Sequence, residues 1–407
     1  MTMSSTNQLL VRAARCLVLL VTLGAATPAW AQEATVSEYA YRRLEKAQKA
    51  LSNDKYREAL SALDDMKKRE SLSNYEKSLM WQTYAFVYAG QNRLGDAAGA
   101  LQQVLALAAM PEDRLTDIYF NLGQLQLSRE KPKLAIEAFN GWVKRQKKAS
   151  PESLHIVAIA YAQVERFDVA LKFIEPAIRG KRNAPDSWLQ LQLACLVQLK
   201  RWNPAAEVLE TLVERDMSNA SRWRQLSAMY AQGGRDPESV ATLELMYHND
   251  LLDKEKDVLL LVRNLLASGV PYKGAKILEE AMQKKLVSPS FESLELLGNA
   301  YLTSGDTKDA IEPLTRAARI AKSGRIYVQV GQLLVNLKRY REASKNIRAG
   351  LATGNLKNVG QAQLLLGIAE YQAKDLVAAR RAFLAARKHS GTKGAASSWL
   401  NFMKKSS

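Results

Sequence analysis

The sequence predicts an all-α fold, a right-handed superhelical solenoid of about ten helix pairs with a C-terminal capping helix. Three observations carry this. First, one phrase returns with a period of roughly 35 residues. Leu294, Leu297, Gly298, Ala310 and Leu314 are matched by Tyr327, Val330, Gly331, Ala343 and Ile347, then by Gln363, Leu366, Gly367, Ala379 and Phe383. Second, the apolar positions inside each phrase fall at i, i+3, i+4 and i+7, the spacing of one helix face. Third, Pro111, Pro151, Pro185 and Pro289 stand near unit ends, where a proline starts or stops a helix.

Residues 1–31 lie outside this pattern. Arg12 and Arg15 precede an apolar run from Cys16 to Ala26, and Pro28, Ala29, Trp30 and Ala31 follow. A basic start, a short apolar run and an Ala-x-Ala end predict a cleaved secretory signal peptide, with the mature chain beginning at Gln32. Removing Arg12 and Arg15 lowers the formal charge from +17 to +15. The predicted address is the periplasm, with the protein soluble or resting on a membrane complex. Only Cys195 remains after cleavage, so packing rather than a disulfide must hold the fold. Cys195 lies among Leu191, Leu193, Leu196 and Val197 and reads as a buried apolar side chain.

The units follow in order. The first runs from Tyr39 to Met66, its second helix starting near Tyr56. The second places Trp81, Tyr84, Ala85 and Tyr88 on one helix and Leu94, Ala97, Leu101 and Val104 on its partner, with Asn92 and Arg93 in the turn. The third has Tyr119, Leu122, Gly123, Ala135, Phe139 and Trp142. The fourth has Val157, Ala158, Tyr161, Phe167, Ala170 and Ile174. The fifth, from Trp188 to Leu212, slips by one residue. The sixth carries Trp223, Leu226, Ser227, Tyr230, Ser239 and Leu243. The seventh is the most degenerate, with Leu259, Val262, Leu266, Tyr272, Ala275 and Met282. Units eight to ten are the three phrases quoted above. Pro176 and Pro313 fall inside predicted second helices, where a kink or an early helix start is expected. After a break at Ser390–Gly394, residues 395–403 predict the capping helix, with Trp399, Leu400 and Met403 turned inward. The chain divides into 32–180, a degenerate centre at 181–287, and a regular 288–405.

Gly or Ala at the eighth place of a unit, and Ala at the twentieth, let paired helices approach closely. Large residues at places four, eleven, seventeen and twenty-four are expected to fill the space between a unit and its neighbour. No unit buries its apolar stripe alone, so stacking is obligatory.

This pattern resembles the tetratricopeptide repeat family over nearly all of residues 38–388, and the Leu-Gly-x-x-Tyr form at Leu297, Gly298 and Tyr301 carries the resemblance most directly. The resemblance implies a stack of helix pairs that holds another protein. The layout as a whole, an exported chain built almost entirely of such repeats, also resembles the periplasmic repeat protein that accompanies proteobacterial TonB–ExbB–ExbD systems. That implies an accessory role in iron or haem uptake, with TonB, ExbB or ExbD as partner.

An enzyme needs convergent polar groups, and these are sparse. His155, His248 and His389 lie in separate units, and no phosphate loop or nucleophile elbow is present. No metal site, cofactor or catalytic residue is predicted. Binding is the sharper reading. Places two, five, nine and twelve of each first helix should face the concave side. Phe86, Phe120 and Tyr371 are the candidate groove anchors, although they could equally complete packing between units. Gln82, Gln124, Asn299 and Gln332 are candidate hydrogen-bonding partners for a peptide, and Arg224 shares their register. Two basic clusters stand out: Lys144, Arg145, Lys147 and Lys148, then Lys338, Arg339, Arg341, Lys345 and Arg348. Each reads as a solvated face or as a seat for an acidic protein or anionic membrane surface. Nucleic acid is not expected outside the cytosol. The alternatives to a TonB-type scaffold are an adaptor for envelope biogenesis (outer-membrane assembly, polysaccharide export or pilus assembly) and a glycan-binding or wall-processing protein.

Overall fold

The structure, a computed structural model, describes residues 36–405. The predicted leader and its cleavage point lie outside the described residues. Within them every regular element is helical, and 20 helices alternate as ten consecutive pairs. The first five pairs are α1 (Glu38–Ser52) and α2 (Tyr56–Lys67), α3 (Asn74–Gly90) and α4 (Leu94–Leu107), α5 (Glu112–Ser128) and α6 (Pro132–Arg145), α7 (Pro151–Gln163) and α8 (Phe167–Arg179), and α9 (Asp186–Gln198) and α10 (Trp202–Arg215). The second five are α11 (Ala220–Gln232) and α12 (Asp236–His248), α13 (Glu255–Ala267) and α14 (Pro271–Gln283), α15 (Phe291–Ser304) and α16 (Thr307–Ala321), α17 (Gly324–Asn336) and α18 (Tyr340–Ala352), and α19 (Val359–Gln372) and α20 (Leu376–Arg387). A 3₁₀ turn at Ser390–Thr392 leads into α21 (Lys393–Lys405). The chain forms two compact units that meet in sequence at Leu212 and Val213, within α10.

In the first unit a continuous core runs from Ala40 on α1 to Ala138 on α6. Glu76 closes two helix starts there. One carboxylate oxygen accepts from the Ser37 backbone N–H at 2.9 Å and hydroxyl at 2.6 Å, and the other accepts from the Ser73 N–H at 2.8 Å. Orphan donors ahead of α1 and α3 thereby share one acceptor. In the second unit a core runs from Val240 on α12 to Ala382 on α20.

The glycines at the eighth place explain how a pair closes. A Cβ on Gly123 would lie 2.3 Å from the Phe139 ring, on Gly298 2.4 Å from Leu314, on Gly331 2.3 Å from Ile347, and on Gly367 2.5 Å from Phe383. In each case the blocking residue is at place twenty-four of the same unit. The sequence reading assigned place twenty-four to the gap between neighbouring units; instead it drops into the glycine notch within its own pair. The sixth pair solves the contact differently. Ser227 and Ser239, both buried, hydrogen-bond through their hydroxyls at 2.9 Å. Each thus satisfies the other where the remaining pairs are apolar.

The turn inside each pair is stereotyped. Two residues before every second helix, one residue is left-handed: Asp54, Asn92, Glu130, Glu165, Lys200, Lys338 and Lys374, at φ between 53° and 66°, and Gly234, Gly269 and Gly305. The next N–H reaches back five residues, as in Arg93 to Tyr88 at 2.8 Å, Arg166 to Tyr161 at 3.0 Å and Arg235 to Tyr230 at 2.8 Å. This is the Schellman closure, which satisfies a carbonyl the ending helix leaves open. In these three turns the same arginine lays its guanidinium over the same tyrosine, at 4.4, 5.4 and 4.5 Å from the ring centre. Backbone and side chain so lock the turn together.

Both internal prolines are tolerated. Helices α8 and α16 run through Pro176 and Pro313 without ending. Each proline forfeits one backbone hydrogen bond, while the flanking Ile174, Ala177, Leu314 and Ala317 stay fully buried. Tyr272, expected on the packing face of unit seven, is instead 52% exposed. The capping helix forms as expected: Leu400 is buried, and Trp399 and Met403 pack against Phe383 and Ala379. The Trp399 ring stacks on Phe383 with centres 5.4 Å apart.

Candidate functional site

A cleft of about 420 Å³ is built by α11, α12 and α13 in the second unit. Its walls follow from helical spacing. Arg224, Ala228 and Ala231 stand at places five, nine and twelve of α11, and Leu260, Asn264 and Ala267 repeat the same spacing on α13 one place later, at places six, ten and thirteen counted back from the left-handed turn at Gly269. Places one turn apart share a face, so the two helices present matching rows. Ser239, Val240 and Leu243 of α12 line the third side.

Small side chains at Ala228, Ala231, Ala267 and Ser268 keep the mouth open, and all four are exposed. Leu260 is 45% exposed at the rim. Asn264 supplies an amide that can donate and accept at once, the pairing a peptide backbone asks for. Arg224 serves a different end from the one expected. Its Nε donates to Asp257 Oδ2 at 2.5 Å, and a terminal nitrogen pairs with Asp253. The guanidinium therefore ties α11 to the start of α13 and shapes the floor, with its charge already matched.

The other sequence-selected residues fall into separate places. Gln82 and Phe86 on α3 and Gln124 on α5 are half-buried, while Asn299 on α15 and Gln332 on α17 are exposed. Gln332 donates to Asn336 of its own helix at 3.0 Å. Phe120 packs its ring against Phe139 and Trp142, at 5.6 and 5.2 Å between centres, so it closes α5 onto α6. Tyr371 is covered by the capping helix, with Trp399 at 5.5 Å and Phe402 at 5.9 Å. The packing alternative thus describes Tyr371, which meets the cap beyond its own pair, while Phe120 packs within its pair and not between units. In the first basic cluster Lys144, Lys147 and Lys148 are exposed, but Arg145 lies over the Tyr119 ring at 4.7 Å and pairs with Glu112 at 3.1 Å. In the second, Arg339 pairs with Glu342 and Arg348 with the buried Glu370, while Lys338, Arg341 and Lys345 are exposed.

The sequence reading passed over Leu260 and Asn264, which lie in the most degenerate unit. They stand one place beyond five and nine, so a strict count through that unit misses them. Cys195 is buried, and burial pushes its thiol up to about 12, so it packs and does not react. His155 stacks on Trp188 at 4.7 Å, and burial drives its imidazole down to about 4 against a small opposing pull from Glu152. Among the described residues no group of three or more His, Cys, Asp and Glu could hold a metal ion, and no helix is long and apolar enough to cross a membrane.

Residues 87–152 and 330–393 match the tetratricopeptide repeat family. No curated protein matches the chain. Among solved structures it is similar to a tetratricopeptide repeat protein from Parabacteroides merdae, at 11% identity and a TM-score of 0.37, over 73% of this chain and 98% of that one. It is also similar to MamA protein, at 16% identity and 0.34 over 42% and 89%, and to YrrB, described as a repeat protein with an unusual peptide-binding site, at 16% and 0.35 over 46% and 88%.

Proposed function

We propose, for a chain that carries tetratricopeptide repeats, that it works as a non-catalytic protein-interaction scaffold whose α11–α13 cleft grips an extended segment of a partner. The observation that carries this is the convergence of Leu260, Asn264 and the alanine row of α11 on one open recess. An apolar partner side chain would sit on Leu260 and Leu243, and its backbone would bond to Asn264. We further propose that the scaffold is periplasmic and accessory to a TonB–ExbB–ExbD complex in iron or haem uptake. The basic start and Ala-x-Ala end at residues 29–31 support export, and the repeat-only layout supports the complex.

The test places a photo-crosslinking amino acid at Ala231 in intact cells and identifies what is captured. Recovery of TonB, ExbB or ExbD supports the full reading. Recovery of an export or assembly machine alone keeps the scaffold and replaces the complex. Ala228→Arg, which fills the mouth from an exposed helix position, should abolish capture with the helix content unchanged. Capture that persists in Ala228→Arg and in Asn264→Ala moves the binding site elsewhere. Sequencing the N-terminus of the mature protein checks cleavage after Ala31.

A further inference from the structure

The chain's net charge is concentrated at one end. Between Pro313 and Lys405 every acid is one of Glu342, Glu370 and Asp375, against 18 Lys and Arg, so this stretch carries +15 of the formal +17. The three acids are also occupied. Arg339 holds Glu342, Arg348 holds Glu370, and Asp375 accepts from the Ala378 N–H at 2.9 Å to cap α20. Within this stretch lies a second, wider recess of about 850 Å³. Arg341, Lys345 and Arg348 of α18 form one wall, and Glu370, Lys374, Asp375, Leu376 and Val377 form the other; with Glu370 held by Arg348 and Asp375 capping α20, Arg341, Lys345 and Lys374 are the cations left to a ligand. Val377 is 69% and Leu376 49% exposed, so apolar surface stands beside the basic side chains.

We propose that this recess takes a short acidic segment of a partner protein, its carboxylates against Arg341, Lys345 and Lys374 and an apolar side chain on Leu376 and Val377. A positive recess with low-dielectric walls concentrates anionic groups at its mouth. Its shape selects a chain over a bilayer: a planar headgroup layer rests on ridges and leaves a trough unfilled, while an extended segment fills it. The apolar surface adds the contact that separates an acidic peptide from a free anion. The recess is distinct from the α11–α13 cleft, so either reading can fail while the other stands.

The probe is a fluorescein-labelled dodecapeptide of repeated Glu-Leu-Asp-Gly, compared with its amide form Gln-Leu-Asn-Gly. The full chain should bind the acidic peptide, and raising salt from about 50 to about 300 mM should weaken binding as exposed charges are screened. Arg341→Glu with Lys345→Glu should weaken it by about tenfold or more. Arg380→Glu with Arg381→Glu, the same charge change on exposed α20 positions outside the recess, should leave it within about twofold. Val377→Asp, a single exposed substitution, provides a second variant and should also weaken it. Equal loss in the two double variants, or equal binding of the amide peptide, overturns the proposal. So does binding to phosphatidylglycerol vesicles that needs Arg341 and Lys345 when the acidic peptide does not bind.

Discussion

Adding one methyl group at Gly298 should separate the packing role of that glycine from its helical cost. In an open helix Gly→Ala gains about 1 kcal/mol, because alanine loses less backbone freedom. At Gly298 the new Cβ would lie 2.4 Å from Leu314 Cγ and 2.6 Å from its Cδ2, inside any tolerable contact. Leu314 is fully buried and cannot swing aside without opening the α15–α16 core. Overpacking of this kind costs about 1–3 kcal/mol, so Gly298→Ala should be destabilising by about 0–2 kcal/mol net. Gly99 in α4 is the control, since a Cβ there meets nothing within 4 Å. Gly99→Ala should stabilise by up to about 1 kcal/mol. Leu314→Ala alone should cost about 2–5 kcal/mol, but combined with Gly298→Ala the new methyl enters the space vacated, giving a favourable coupling of about 1–3 kcal/mol. Repeat arrays need not unfold in one step, so urea titration by circular dichroism should be paired with hydrogen exchange resolved to α15 and α16. Equal stabilisation by Gly298→Ala and Gly99→Ala, or strict additivity in the double variant, would refute the notch.

Two further outcomes follow from the turns and from His155. Lys338 is held at φ 60°, so Lys338→Gly should stabilise by about 0.5–1 kcal/mol as relief of left-handed strain exceeds the entropy lost, while Gly305→Ala should destabilise by about 1 kcal/mol; urea midpoints check both. His155 titrates near 4 in the folded chain against 6.5 unfolded, so the unfolded state holds more protons between those values. Its contribution is therefore full above the unfolded value and is lost as pH falls from 6.5 toward about 4, by on the order of 2–3 kcal/mol, and His155→Gln should flatten that part of a stability-against-pH curve.

The period and the small-residue places were readable because they are forced. A pair can close only where one helix offers a notch, and Gly123, Gly298, Gly331 and Gly367 announce it. What the notch receives was misread, because helical spacing states which face a residue occupies and not which neighbour fills it. The same limit applies to Phe120 and Tyr371. Both lie on first helices in the expected register, yet Trp142 and Trp399 reach across and cover them. The left-handed turn positions were hidden for a different reason. Seven of the ten carry Asp, Asn, Glu or Lys, and the Schellman closure holds them there without the glycine that would have marked them. Charge segregation was present in the sequence, but a whole-chain total conceals it: the excess of cations begins only after Glu312.

Successive units are also keyed to one another at place eleven. Tyr161 donates to Asn140 at 2.8 Å and Tyr301 to Glu279 at 3.0 Å, each reaching back to the preceding unit's second helix. At the same place in the last pair stands Glu370, and the residue it meets, Arg348, is a donor. The position is the same and the polarity is reversed, so this last interface should reject the tyrosine that serves in the eighth unit. Glu370→Tyr would oppose a phenol to a guanidinium and lose a charge-assisted hydrogen bond. With Arg348 half in solvent, the loss should be about 1–2 kcal/mol. Arg348→Glu in the same chain recreates the Tyr301–Glu279 arrangement and should recover at least half of it, read as protection of α18 and α19 amides in hydrogen exchange. If Glu370→Tyr is neutral, or if Arg348→Glu worsens it, the reversed pair does not order the units, and packing alone must set which unit follows which.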